Sequence, residues 1–194
     1  METFGTMMSR LDLKVASPDR RIHGRIQGRD RIDIVFRGNA YREYTEDAMG
    51  AQLGGLFQLM WTGYRRATLM AMARTMGEAS AEEGRHPTDP EDRDLFEERR
   101  TMKLAATSVR GFVKVRCVGW RDWSVRIEPG TCDDLTEEEF RTELLSLVPP
   151  LMDRYRHKSA ELADNYFRRV DPEGHRRMRD LERRWSEGND RSGR

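Results

Sequence analysis

Cysteine is nearly absent. Cys117 and Cys132 are the only two in 194 residues. Two cysteines cannot build the disulfide framework of a small secreted domain, so a reduced cytoplasm is the expected compartment. Long apolar runs are missing too. No window approaches the roughly 18 residues of a membrane span. The opening METFGTMMSRLDLK has neither the apolar stretch nor the small-residue cleavage site of a signal peptide. No membrane partner is expected. An excess of either charge is also lacking: 35 basic and 34 acidic side chains leave a net +1, so bulk charge does not mark a nucleic-acid binder. Lysine is scarce, at positions 14, 103, 114 and 158, and arginine carries the rest of the positive charge. His23, His86, His157 and His175 are scattered without zinc-site spacing. There is no phosphate-cradling glycine loop, nucleophile elbow or paired metal motif. The chain therefore reads as a non-enzyme without cofactor or metal. Cys117 reads as a small core residue, and Cys132, beside Asp133 and Asp134, as a poor nucleophile.

What is present is a repeat. Offset by 91 residues, the chain aligns with itself without gaps from about residue 10 to residue 67. Over 22–67 the identities are Arg25/Arg116, Gly28/Gly119, Thr45/Thr136, Glu46/Glu137, Leu53/Leu144, Leu56/Leu147, Tyr64/Tyr155 and Arg65/Arg156. The apolar pattern is stronger than the identities. Leu11, Leu13 and Val15 match Met102, Leu104 and Ala106. Ile22, Gly24 and Ile26 match Val113, Val115 and Cys117. Ile32, Ile34 and Phe36 match Trp123, Val125 and Ile127. Strict period two predicts half-buried strands, and the short polar stretches between them predict tight turns. Each copy is thus a three-stranded antiparallel meander.

Both copies then change period. Thr45 and Thr136 each open a helix, and Glu139 completes a capping box with Thr136. Met49, Leu53, Leu56 and Met60 follow at helix spacing in the first copy, and Phe140, Leu144, Leu147 and Leu151 in the second. Gly50, Gly54 and Gly55 predict that the first helix packs closely against a neighbour. Pro149 must kink or restart the second. Trp123 falls on the apolar face, while Trp120 falls at an exposed turn, where an intramolecular contact is the simpler reading. The predicted layout is a first repeat over 1–76, a polar linker over 77–92, a second repeat over 93–169 opened by a short helix, and a charged tail over 170–194. In that tail a helix capped by Asp171 runs to about Trp185. One meander with one helix cannot cover both sheet faces; two copies can bury against each other as dimer subunits do. The expected fold class is α+β: two tandem meander-plus-long-helix units joined as a pseudo-twofold fused dimer.

The second copy carries a glycine-rich turn at Gly111, then Val113, Lys114 and Val115, a turn at Gly119, a strand ending Ile127-Glu128-Pro129, and Leu135 with Glu138 at the head of a long helix. This resembles the YbaB/EbfC family of bacterial nucleoid-associated proteins over residues 91–168, and the first copy resembles it more loosely over about 9–75. The resemblance implies an intertwined dimer with helical arms, binding duplex DNA with little sequence preference in a cytoplasmic nucleoid. A related actinobacterial group, the EspH-like accessory proteins of type VII secretion, implies instead a protein-interaction module or chaperone-like adaptor; arginine-rich composition fits such a source. The first copy is expected to begin directly at its strand, without the helix that precedes the second meander, and the fused pair has room to assemble further.

Ten basic residues fall on the outward strand positions against four acidic ones. The candidate DNA contacts are Arg21, Arg25, Arg31, Arg37, Lys114, Arg116 and Arg126. Such a face neutralises phosphates and releases counterions; the same pattern also suits a sheet face that is merely solvated. The tail arginines Arg176, Arg177, Arg179, Arg183 and Arg184 are interleaved with Glu173, Asp180 and Glu182, which reads as a helix laced with its own ion pairs.

Overall fold

A computed structural model describes residues 2–28, 31–77 and 90–177. The alternating segments form β1 (Asp12–Ala16), β2 (Ile22–Gln27) and β3 (Arg31–Phe36), then β4 (Lys103–Thr107), β5 (Val113–Val118) and β6 (Asp122–Ile127). They make two antiparallel sheets, ordered β1-β2-β3 and β4-β5-β6. The repeat holds to the residue: Lys14 pairs with Arg25 in the first sheet, and Ala105 with Arg116 in the second. Even the turn bonds recur. Asp19 N–H donates to Gln52 Oε1 at 3.1 Å, and Arg110 N–H to Glu143 Oε2 at 3.1 Å.

Six residues precede the first meander as a helix, α1 (Phe4–Ser9), where the sequence predicts none. Thr3 accepts from Thr6 N–H at 3.2 Å, and Met8 is buried, so a cap and one anchoring side chain hold the turn. After β3 come α2 (Ala40–Glu43) and α3 (Glu46–Met76), one unbroken helix capped by Thr45. In the second unit α4 (Pro90–Thr101) leads into β4, so a helix occupies the last residues of the expected linker. Its last turns are equivalent to α1. Then follow α5 (Thr131–Asp134), α6 (Glu137–Ser146), with the predicted capping box between Thr136 and Glu139, and α7 (Val148–Val170). The prolines explain the break between α6 and α7. Pro149 and Pro150 sit in the first turn of α7, where no intrahelical donor is required of them. The last helix begins after Asp171, whose carboxylate accepts from Gly174 N–H at 2.9 Å; its course beyond residue 177, and most of the linker, lie outside the described residues.

The units pack reciprocally. Helix α3 lies on its own β1 and β2 and runs along β6 of the other sheet, while α6 packs on β3. The predicted core positions meet at this join: Leu53, Leu56, Met60, Leu144, Leu147 and Leu151 are all buried. The expected close approach of α3 is to the β6 backbone. A Cβ on Gly50 would stand 2.5 Å from Val125 O, and one on Gly54 3.1 Å from Trp123 O.

Candidate nucleic-acid interface

Alternation sends every second strand residue outward, and the register decides which of them meet. On the second sheet Lys114 lies directly opposite Arg126, and Arg116 lies opposite Ser124 on one side and Ala105 on the other. Lys114, Arg116 and Arg126 are therefore immediate or diagonal neighbours, all exposed. Like charges opposed in this way repel. Among the described residues only Lys114 is paired, with Glu128 at 2.7 Å, and this contact holds the Glu128 carboxyl below its ordinary range. Arg126 adds a weaker pull on the same carboxylate. Among the described residues Arg116 makes no ion pair.

The first sheet is different. Arg25 pairs across the strands with Lys14 and Asp33, and its guanidinium forks onto Asp12, Nε to Oδ1 at 2.6 Å and Nη2 to Oδ2 at 2.9 Å. That hydrogen bond draws the Asp12 carboxyl below its ordinary range and raises Arg25. Asp33 is also held from the far unit by Arg141 at 2.9 Å. At the equivalent positions of the second sheet, Asp12 becomes Lys103 and Asp33 becomes Ser124. The acidic residues that neutralise Arg25 have no counterpart around Arg116.

The remaining candidates are dispersed. Arg21 pairs with Glu43 and lies over the Tyr44 ring. Arg37, which follows β3, bonds through its backbone to Arg21 O at 2.9 Å, so those two share one end of the sheet. Arg31 faces Gln27 at the opposite end. Of the seven predicted contacts, Lys114, Arg116 and Arg126 form one group; Arg21 and Arg25 are spent on carboxylates. Sequence alone put Arg25 and Arg116 on a par because the ion pairs join residues that are distant along the chain. Of the tail arginines, only Arg176 and Arg177 fall within the described residues.

Trp120 is not exposed. It occupies the β5–β6 turn with φ of 60° after Gly119 at 56°, the two successive left-handed residues of a tight hairpin turn. It is 8% exposed, stacks on Trp61 of the other unit at 4.6 Å and meets Tyr155 edge-on at 5.1 Å. Trp123 donates to Trp120 O at 3.0 Å. Trp61, which carries this contact, was not singled out from the sequence, although its aromatic spacing with Phe57 and Tyr64 on one helix was visible there.

Burial pushes the Cys117 thiol up to about 11, and burial with the neighbouring Glu46 and Asp133 pushes Cys132 up to about 11. Neither is a thiolate near neutrality. Among the described residues no three His, Cys, Asp or Glu side chains are placed to share a metal, and no helix is long and apolar enough to cross a membrane. In comparisons with known proteins, no family model, curated protein or solved structure matches the chain.

Proposed function

We propose that the chain is a non-enzymatic, nucleoid-associated DNA-binding protein that holds duplex phosphates on the outer face of its second sheet, with little reading of bases. The observation that carries this is the cluster of Lys114, Arg116 and Arg126 on adjacent strands with a single paired carboxylate. Cations on an exposed sheet face suit a phosphate backbone: they release counterions on contact, and contacts to phosphates fix position without reading bases. The fused-dimer reading of the resemblance to YbaB/EbfC proteins fits the reciprocal packing of the two units, and rests on the sequence motifs alone.

The test is a fluorescence-anisotropy titration of unrelated duplexes at several salt concentrations. Affinity should fall steeply with salt and differ little between sequences. The Arg116→Ala/Arg126→Ala variant should remain folded and lower the log–log salt slope by about 2, near 0.9 per phosphate. Unchanged affinity and slope in that variant would remove this face from consideration. A second reading, a protein-interaction module, draws on Phe167 and Val170, one turn apart near the end of α7 and 46% and 42% exposed. Absence of DNA binding even at low salt would favour it.

A further inference from the structure

An apolar cavity of about 140 Å³ lies where the two units meet. Equivalent positions of the two copies face it in pairs: Phe57 with Val148, Trp61 with Met152, and Trp123 with Ile32. The pairs are unequal. Where α3 meets β6, the positions carry rings, and Phe57 meets Trp123 edge-on at 5.4 Å. On the side of β3 and α7, the same positions are Ile32, Val148 and Met152, with no ring among them. Leu145, which stands where α3 has Gly54, also lines the space. The cavity is thus the volume left when one of two equivalent interfaces loses its aromatic filling.

Its walls hold no Asp, Glu, Lys, Arg or His. A charged guest would give up its hydration without a partner. An enclosed apolar cavity of roughly 150 Å³ accepts a molecule the size of benzene; this one has a similar volume and is partly open to the surface, which leaves a path of entry. We propose that this cavity is a binding site for a small neutral aromatic molecule, which takes the place of the rings that the other interface supplies from its own chain. The site is separate from the proposed DNA contact: Val115 faces the cavity, while its neighbours Lys114 and Arg116 face outward on the other side of β5.

The full chain is titrated with toluene and with indole, followed by calorimetry and thermal melting; toluene is also followed by tryptophan fluorescence, since Trp61, Trp120 and Trp123 line the site. Saturable one-to-one binding with a ligand-dependent rise in Tm is expected. Benzoate and benzylamine should bind at least about tenfold more weakly. Val148→Phe, which installs the ring of Phe57, should weaken toluene binding at least about tenfold and raise the ligand-free Tm by filling the void. If that variant fails to fold, Met152→Trp, which installs the ring of Trp61, makes the same test. No saturable binding of either neutral probe, equal binding of benzoate, or unchanged affinity in a folded filled variant would each overturn the proposal.

Discussion

Arg25 has Asp12 and Asp33 beside it; at the equivalent positions of the second sheet, Arg116 has Lys103 and Ser124. The two sheets share strand order, register and turn bonds, so this contrast cannot come from the backbone. It comes from the outward residues, which are exposed or half-buried and can differ at less cost to the fold than the core can. The inward residues are under another rule. Leu53 and Leu144, Leu56 and Leu147, Met60 and Leu151 are buried alike, because each unit completes the other's core. The inner set specifies one architecture twice, while the outer set places Asp12 and Asp33 around Arg25 and Lys103 and Ser124 at the equivalent places around Arg116.

The largest expected effects test the equivalence of the inner set. Leu53→Ala and Leu144→Ala should each cost about 2 to 5 kcal/mol in urea unfolding. A loss below about 0.5 kcal/mol for either would break the correspondence of the two helices.

The next contrast is between α3 and α6. Gly50→Ala places a Cβ against Val125 O, and backbone cannot move aside as a flexible side chain can. It should cost about 1 to 3 kcal/mol even against a helix-propensity gain of up to about 1. Arg141→Ala, at the equivalent place on α6, loses a partly exposed ion pair and should cost no more than about 1 kcal/mol. Equal losses would mean that α3 gains nothing from its glycines.

The charge contrast can be inverted. Arg25→Ala should leave the salt slope of DNA binding unchanged, because Asp12 already neutralises that guanidinium. Asp12→Lys/Asp33→Ser transplants the surroundings of Arg116 onto the first sheet, and should steepen the slope by about 1 or more as a second face opens. An unaltered slope in the transplant would show that sheet charge alone does not make a phosphate site.

The smallest effect is on the acid limb of stability. Asp12 is held below its ordinary range by Arg25, so its contribution is present above the unfolded carboxyl pKa and is lost as pH falls through the lowered folded value. The Tm difference between the wild-type chain and Asp12→Asn should be small at pH 7 and should shrink as the pH is lowered below about 4, the ordinary aspartate value. Lys103→Ala, at the equivalent position, should show no such convergence.

The sequence by itself determined the two units. Period two, the switch to helix spacing, the threonine caps, the prolines after Leu147 and the 91-residue offset are local signals, and local sterics and hydrogen bonding read them directly. It also determined which residues point outward. It under-read α1, whose single buried anchor, Met8, leaves little periodicity to see. Only the tertiary structure decided what the outward and interfacial residues do. Asp33 and Arg141 are 108 positions apart, and Trp61 and Trp120 meet through two different units. Ion pairing depends on cross-strand register, and packing volume depends on which helix reaches which edge. The Asp33–Arg141 pair and the Trp61–Trp120 stack exist only when both copies close on each other, while the contrast between Arg25 and Arg116 needs only the meander register, which brings Asp12 beside Arg25 and Lys103 to the equivalent place near Arg116.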